Sequence, residues 1–289
     1  MQHLSLTLAD VIGALEGLYP PGTAQSWDQV GLVSGDLAQP VRRIHFAVDP
    51  TLAVIEEARA LGADLLVTHH PLLLRGVHSV ATTTAKGASV TSLVVNDIAL
   101  YVAHTNADIA SPGVCDALAA ACGLAEVEPL ATVEGQPMGR VGRLPEPTAL
   151  ADFAHSLYAA LPKAAGGIRV AGPAAAMVQR VAVVGGAGDD MFAHVRSCGA
   201  DVYVTADLRH HPVLEAREES RGGPPYLVDA GHWATESLWL ARAAERVRTA
   251  VAEAGPEAPK VETHISTLRT DPWDFVVGAE SPAGPGGTS

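Results

Sequence analysis

The sequence has few cysteines, few charged side chains and no long uncharged apolar run, and each shortage excludes a class of protein. Its 289 residues include three cysteines, too few for a disulfide framework, which is typical of a reducing compartment. No uncharged apolar stretch reaches the roughly 18–20 residues that a membrane helix needs, so we expect no membrane association. The N-terminus lacks a basic segment followed by an apolar run and therefore predicts no signal peptide and a cytoplasmic location.

Basic residues are also scarce. Lysine and arginine number 19 against 32 aspartates and glutamates, which gives a formal net charge of −13. A chain with this charge repels a polyanion, so nucleic acid is not an expected partner and a DNA-associated role is disfavoured. A small anionic substrate held by metal ions remains compatible with the charge.

Short apolar runs alternate with amphipathic runs along the chain. The predicted strands are Ile44–Val48, Leu65–Thr68 and one within Leu93–Ala103. The predicted helices are Leu8–Tyr19, Thr51–Leu61 and Pro112–Cys122. This alternation predicts an α/β fold in which the strands pair mainly in parallel.

The chain also repeats itself. The segment Arg43–Thr68 matches Arg180–Thr205 without a gap, 137 residues later. The tripeptide HHP follows the second strand of both copies, at His69–Pro71 and, after four extra residues, at His210–Pro212. The match predicts an internal duplication of an α/β unit, and a chance similarity of two unrelated units is the alternative.

The repeat divides the chain into predicted regions. Residues 1–125 form a first α/β half, and residues 179–278 form a second similar half. Residues 126–178, which are interrupted by prolines, are interpreted as the linker between them. Residues 279–289 are rich in proline, glycine and serine, and they predict a disordered tail.

Twelve histidines are present, and several of them follow predicted strands. Polar side chains come directly after strands at His69-His70, at His104–Asp108 and at His232–Glu236. Sites in open α/β sheets form at the carboxyl ends of strands, so we expect these residues to meet. Imidazole and carboxylate together suit zinc, iron, manganese or nickel, and a carboxylate can bridge two such ions. The pattern predicts a site for two divalent metal ions between the halves.

Each of these motifs also has an ordinary explanation when it is taken alone. His104 with Asp108 would serve as a surface ion pair, and His232 with Glu236 as a common helix pair at positions i and i+4. His211 is the repeat counterpart of a candidate ligand, but the four extra residues displace it. We therefore predict that His211 lies in the wall of the site. The glycines of Gly185–Gly188 do not fit a phosphate-binding loop and predict a tight turn between a strand and a helix.

Several motifs together resemble one known family. They are SWDQVGLVSGD, LLVTHHPLL, VAHTNADIASPGVCDALA, LVDAGHWATE and THISTLRTDPW. The chain is similar in these motifs to the Nif-three-like family, whose members are also called GTP cyclohydrolase I type 2 homologues or dinuclear metal-centre hexameric proteins. One motif departs from the family pattern, because Thr205-Ala206-Asp207 lacks the family's glycine.

The resemblance implies two similar α/β domains around a dinuclear metal site and a ring-shaped homohexamer. The metal ligands that it implies, matched motif by motif, are His69, His70, Asp108, His232 and Glu236. His104 falls on a family histidine near the metals. This ligand set agrees with the one taken from the predicted strand ends.

These observations lead to two functional hypotheses of different classes. In the first, the protein is a metal-dependent hydrolase, similar to GTP cyclohydrolase, that acts on a nucleotide or another small molecule through a metal-activated water. His104, or His211 from the other half, would then be a catalytic residue that carries a proton. In the alternative, the protein is a non-catalytic hexameric ring that stores metal or binds a partner.

Overall fold

The computed structural model describes residues 6–253 and 260–278, which fold into two β-sheets flanked by helices. The helices are α1 (Leu8–Leu18), α2 (Leu52–Leu61), α3 (Ala85–Val95), α4 (Thr105–Ile109), α5 (Val114–Ala121), α6 (Leu150–Ala160), α7 (Phe192–Ser197), α8 (His210–Glu219) and α9 (His232–Glu253). The strands are β1 (Gly31–Ser34), β2 (Arg43–Ala47), β3 (Leu65–Thr68), β4 (Ala99–Val102), β5 (Ala125–Val133), β6 (Gln136–Ala149), β7 (Arg169–Ala171), β8 (Met177–Ala187), β9 (Val202–Ala206), β10 (Tyr226–Asp229) and β11 (Glu262–Ile265).

The first sheet has the order β1-β4-β3-β2-β11, and all neighbours pair in parallel except β1 with β4. Its central strands are buried on both faces because helices cover each side, as expected for parallel sheets. Along β3, Leu65 and Val67 belong to one apolar core and Leu66 belongs to the other. The predicted α/β class with mainly parallel central strands is confirmed.

Local signals in the sequence explain why α2 has these limits. The Thr51 side chain accepts a hydrogen bond from the backbone N–H of Val54, which caps the first turn of the helix. Gly62 ends the helix with a φ of 64°, a left-handed conformation that glycine adopts at low cost. The chain then enters β3 and reaches His69 at the carboxyl edge of the sheet.

The second sheet has the order β5-β6-β8-β9-β10-β7. Strands β8, β9 and β10 pair in parallel, and the remaining pairs are antiparallel. Residues 126–178, predicted as a linker, instead supply most of β5, all of β6 and β7, and helix α6. Four of their prolines lie within strands, Pro129 in β5 and Pro137, Pro145 and Pro147 in β6, so proline content did not indicate a linker.

The second half does not end within its own sheet. After helix α9 the chain returns to the first sheet, where β11 pairs in parallel with β2. Helix α9 packs on the first core through Trp239 and Val247 and on the second through Ala234. The predicted boundary at residue 178 therefore separates the two halves only in part.

The strand, helix and strand of the predicted repeat occur in both halves, as β2-α2-β3 and as β8-α7-β9. The duplication itself stays a prediction. The expected turn at Gly185–Gly188 is wrong in part, since β8 continues to Ala187. The predicted tail, residues 279–289, lies outside the described residues. Within residues 6–253 and 260–278, no helix has the length and apolar character to cross a membrane.

Candidate metal centre

The first sheet delivers three histidines to its carboxyl edge. His69 and His70 follow β3 directly, and their backbone N–H groups donate to the carbonyls of Ala47, the last residue of β2, and of Val48. His104 follows β4 and precedes the first turn of α4, which carries Asp108. The backbone bends at both histidines of the adjacent pair, and these hydrogen bonds tie it to the end of the neighbouring strand.

The second sheet contributes the start of helix α9. Strand β10 ends at Asp229, and His232 is the first residue of the helix. One turn later Glu236 lies on the same face, and His232 Nε2 is 3.0 Å from Glu236 Oε1. The Glu236 side chain is only 4% exposed. A helix start thus carries one imidazole and one buried carboxylate toward the edge of the first sheet.

Glu236 lies at the centre of the cluster. Its Oε2 is 3.0 Å from His70 Nε2, and its Oε1 is 3.4 Å from His69 Nε2. His70 Nε2 is also 3.2 Å from His232 Nε2, and His69 Nε2 is 3.7 Å from Asp108 Oδ1. Among the described residues, two triads present ligand atoms within 4.8 Å of one another: His69, His70 and His104, and His70, His232 and Glu236. The structure therefore brings together all five predicted ligands and the predicted catalytic His104.

Gly186 makes room for this arrangement. It lies in β8 with a φ of 65°, in the region that favours glycine. A Cβ atom at this position would lie 2.2 Å from Glu236 Oε1 and 3.1 Å from His232 Nε2. Strand β8 therefore approaches the cluster as closely as a backbone without a side chain allows, and it forms one wall of the centre.

Each histidine of the cluster is held through its Nδ1 atom by an oxygen. The pairs are His69 with the Ala103 carbonyl at 2.9 Å, His70 with Asp49 at 2.7 Å, His104 with Asp28 at 3.0 Å and His232 with Asp207 at 2.8 Å. An imidazole that donates from Nδ1 carries its lone pair on Nε2, and such outer partners are typical of histidines that bind metals. For His69, His70 and His232, Nε2 is the atom that lies within the cluster.

Two of these outer partners have strong local constraints. Asp28 is buried and accepts from the Thr105 hydroxyl at 2.6 Å and from its backbone N–H. Burial would raise the pKa of Asp28, but its hydrogen bonds from His104 and Thr105 lower it to about 2. Asp207 has a φ of 53°, which is uncommon outside glycine and costs conformational energy. Ala206 in place of the family's glycine therefore does not prevent Asp207 from reaching His232.

Electrostatics favour the charged forms of His70, His232 and Glu236, whereas burial raises the pKa of Asp108. Burial alone would lower the pKa of His70, but the charge of Glu236 and the hydrogen bond to Asp49 raise it to about 10. Burial opposes protonation of His232 in the same way, and its bonds to Asp207 and Glu236 raise its pKa to about 11. Burial would raise the pKa of Glu236, yet its interactions with the neighbouring histidines, His70 first, hold it well below the usual value. Without metal, the centre therefore holds protons that a divalent cation would replace.

The polar atoms of the cluster do not satisfy one another's hydrogen-bonding needs, but they suit the coordination of metal ions. His69 Nε2 and Asp108 Oδ1 are buried and make no hydrogen bond within the described parts of the chain. Such groups are rare in folded proteins because an unpaired buried polar atom costs free energy. His70 and His232 present two imidazole nitrogens to each other, which is unfavourable when both are protonated. Divalent ions between these imidazoles and carboxylates would remove both problems.

The centre opens into a cleft of about 720 Å³. His70 and His232 lie at its floor together with their partners Asp49 and Asp207. Trp233 of helix α9 and residues from the segment after β11, among them Trp273, also line it. A cleft of this size, next to a candidate metal centre, can admit a small molecule.

A comparison with known protein families matches nearly the whole chain, including all the residues of the candidate centre. The family model of Duf34/NIF3 (NGG1p interacting factor 3) matches residues 6–272. The chain belongs to the Duf34/NIF3 family.

Relatives in this family match the chain over nearly its full length. A Streptomyces coelicolor protein named GTP cyclohydrolase 1 type 2 homolog is 49% identical over 271 residues, which cover 92% of this chain and 93% of the relative. A Mycobacterium tuberculosis protein of the same name is 35% identical, with 94% and 98% covered. A solved Bacillus cereus protein related to NIF3 superposes with a TM-score of 0.84 at 26% identity, with 94% of this chain and 99% of that chain covered. The predicted family and fold are confirmed.

One predicted site residue lies elsewhere in this Duf34/NIF3 fold. His211 is in the first turn of α8, where its ring packs on His210 at a centroid distance of 5.1 Å. It belongs to neither of the two triads in the described residues. Three residues separate β9 from α8 and move the histidine pair away from the strand end. Asp207 occupies the place that the repeat assigned to a histidine.

The sequence alone did not point to the residues that support the cluster. Asp49 comes two residues after β2 and Asp207 directly after β9, so both also lie at carboxyl ends of strands. The strand-end argument used for the histidines would have found these two aspartates. Asp28 follows no parallel strand, and Gly186 was interpreted as part of a turn. Their roles depend on contacts with distant residues.

Proposed function

We propose that this chain is a metalloprotein with two divalent metal ions, held by His69, His70, Asp108, His232 and Glu236, and that it acts as a metal-dependent hydrolase. The observation that carries the proposal is the convergence of these side chains around Glu236. Glu236 offers an oxygen to imidazoles from both halves of the chain, as a bridging carboxylate would. Zinc, iron, manganese and nickel all accept mixed imidazole and carboxylate ligands.

The residues around the centre divide the remaining tasks. When bound, two divalent ions supply Lewis acidity and make water a better nucleophile at neutral pH. Asp108 and Glu236 offset the positive charge of the ions, which neutral imidazoles do not. His104, oriented by Asp28 and grouped with His69 and His70, would accept or return a proton. The cleft holds the substrate, a nucleotide or another small molecule, against the centre.

Metal analysis followed by a substrate screen tests the proposal. Protein purified without chelator should contain about two divalent ions per chain, and the same sample should turn over a member of a panel that includes GTP. Glu236→Gln keeps the side-chain shape but removes the charge, so it should lose metal and any turnover. His210→Ala, on α8, is the matched control and should keep both.

Three outcomes would contradict the proposal in different ways. Fewer than one ion per chain after reconstitution would contradict the metal centre. Equal metal loss in Glu236→Gln and His210→Ala would contradict the choice of ligands. Full metal content without turnover of any substrate would favour the alternative, a protein that stores metal or binds a partner.

We also propose that the chain assembles into a homohexamer, as its family resemblance implies. Light scattering at micromolar concentration should then give about six times the chain mass of 29.8 kDa. A monomer under these conditions would contradict the assembly and leave the metal centre untouched, because all the proposed ligands belong to one chain.

A further inference from the structure

The segment after β11 reaches the metal centre from the far end of the chain. Strand β11 pairs with β2, and the backbone N–H of Ser266 donates to the carbonyl of Phe46 at 2.7 Å. Because the pairing is parallel, the chain leaves β11 at the same edge of the sheet where β2 ends. That edge carries Asp49 and His70. Residues 266–273 therefore run beside the centre.

One side chain of this segment contacts the support of a proposed ligand. The Thr270 hydroxyl donates to Asp49 Oδ2. The other oxygen of the same carboxylate, Oδ1, lies 2.7 Å from His70 Nδ1. The three side chains form a chain of hydrogen bonds that ends at the imidazole, and His70 Nε2 faces Glu236 at its other side.

We propose that Thr270 is a positioning residue for the metal centre: it fixes the Asp49 carboxylate, which in turn orients the His70 ring toward the metal ions. The inference rests on the proposed function, because it concerns how His70 is held as a ligand. Asp49 is 26% exposed at its side chain, so without a second partner its carboxylate is free to rotate toward solvent. Thr270 removes that freedom and keeps Oδ1 on His70.

A separate contact holds the segment in place. The Ser266 hydroxyl donates to Glu57 Oε2 on helix α2, and the same oxygen lies 3.0 Å from Nε2 of the buried His45. The segment is thus attached to the first half at both Ser266 and Thr270. Only three residues separate these two contacts, which limits how far Thr270 can move from Asp49.

The same segment also forms a wall of the cleft. Thr270, Asp271 and Trp273 line it, and so do Asp49 and His70. A molecule in the cleft would therefore touch the segment that orients a metal ligand. The role of Thr270 explains why a motif so far along the chain is part of the centre, although it supplies no ligand itself.

Zinc affinity measures this role directly. Full-length protein is stripped with a chelator and titrated with zinc in competition with a chromogenic chelator. Loss of an outer hydrogen-bond partner weakens metal binding about 10-fold to 100-fold, and Thr270 acts one bond further out, so Thr270→Val should weaken it by about 10-fold. Thr270→Ser keeps the hydroxyl and should retain the affinity. Asp49→Asn should weaken zinc binding at least as much as Thr270→Val.

The matched control is Thr267→Val, which changes an exposed threonine of the same segment. It should leave the affinity unchanged. The midpoint of thermal unfolding of the stripped proteins separates positioning from folding, and it should be similar in all variants. If Thr270→Val does not fold, Thr270→Ala carries the same expectation without a clash.

The inference is wrong if Thr270→Val binds zinc as the parent does, or if Thr270→Ser or Thr267→Val weakens binding equally. These outcomes differ from failure of the proposed function. In that case the parent protein itself would bind no zinc.

Discussion

Each histidine of this centre is oriented by an oxygen atom that contacts its Nδ1. His70 and His232 each present Nε2 to Glu236 and Nδ1 to an aspartate. In the register of the predicted repeat, the position of His70 in the first half corresponds to Asp207 in the second. Equivalent strand ends therefore have different tasks in the two halves: one supplies a proposed ligand, and the other supplies an aspartate that holds a proposed ligand.

Gly186 is the residue at which a single methyl group should abolish the centre. A Cβ atom would lie 2.2 Å from Glu236 Oε1, and the φ of 65° adds strain for any residue other than glycine. We expect Gly186→Ala to move Glu236 and to reduce bound metal to well under one ion per chain. Elemental analysis of the folded variant measures this.

Gly166→Ala is the control for that change, because it also lies in the cleft wall and a Cβ there meets nothing within 4 Å. It should keep the parent's metal content. Full metal binding by Gly186→Ala would show that Glu236 can move without loss of the ions.

His45 should make stability depend on pH. It is fully buried, its Nε2 lies 3.0 Å from Glu57, and its Nδ1 has no hydrogen-bond partner among the described residues. Burial lowers its pKa below 6.5, and the bond to Glu57 offsets this only in part. A folded-state pKa below the unfolded value means that the unfolded chain binds the proton first. The stability contribution is therefore complete above about pH 6.5 and is lost as the pH falls toward the folded pKa.

Chemical denaturation between about pH 7.5 and about pH 5, a range that brackets the unfolded histidine pKa of about 6.5, measures this effect. The free energy of unfolding of the parent should fall relative to His45→Gln by at most about 1.4 kcal/mol per pH unit. His194→Gln, at an exposed position on α7, controls for the general cost of the exchange. Parallel pH profiles of the parent and His45→Gln would contradict the prediction.

The candidate ligands were predictable from the sequence because each lies directly after a strand or one helical turn later. Their outer partners depend on how the strand ends meet. Asp28 reaches His104 from a loop 76 residues earlier, and no local pattern encodes that distance. His211 shows the opposite error. The repeat pairs His211 with His70 through the shared HHP tripeptide. The four extra residues before this tripeptide in the second copy place His211 on helix α8 and not at the strand end.

At the scale of elements, the antiparallel pair β5 and β6 supports two loops of the centre. Glu134, in the turn between these strands, accepts from the backbone N–H and hydroxyl of Ser26, two residues before Asp28. On β6, Arg140 contacts the chain just after Asp108. The region that was predicted as a linker thus holds two site loops in place, and it does so through side chains that no helix or strand pattern indicates.

Arg140 should be the most sensitive residue of this pair of strands. Arg140 is 3% exposed. Its guanidinium forms a bidentate ion pair with Asp116 and donates hydrogen bonds to the carbonyls of Ile109 and Ala110. Arg140→Ala leaves Asp116 without its ion-pair partner and should lower the free energy of unfolding by about 3–5 kcal/mol. Chemical denaturation measures the change.

Arg143→Ala is the control on the same strand. The Arg143 side chain is exposed, and its one hydrogen bond within the described residues is to the Gln179 side chain at 3.0 Å. It should cost well under 1 kcal/mol, about the value of a surface contact. Equal losses in the two variants would mean that the strand itself, and not the buried ion pair, sets the stability.

The sequence predicted the elements whose capping residues, end signals and apolar patterns agree, and it did not predict those that lack such signals. The Thr51 cap, the Gly62 stop and the apolar run before His69 each pointed to the observed elements. Two features had no such signal. The prolines near both ends of β6 are typical of loops, so the sequence did not predict this strand. The return of β11 to the first sheet depends on tertiary contacts made after a 22-residue helix.

At the scale of the whole molecule, helix α9 and strand β11 make the two halves interdependent. The helix begins with His232 and Glu236 at the second sheet and then packs its Trp239 against the core of the first. The proposed ligands come from both halves. Any ion that they hold must therefore stabilise the contact between the halves as well as each half.

This interdependence predicts one cooperative unfolding transition and a shift of that transition by metal. An ion that binds only the folded chain stabilises it by about 2.7 kcal/mol when its free concentration is 100 times the dissociation constant. For a chain of this size that is a rise of roughly 4–5 °C in the unfolding midpoint. Calorimetry of chelator-treated protein with and without zinc, at one protein concentration, measures the shift. Glu236→Gln should show no shift, and Arg143→Ala should show the full one. Two separate transitions, only one of which responds to zinc, would mean that the ligands of one half suffice to hold the metal and that α9 does not couple the halves.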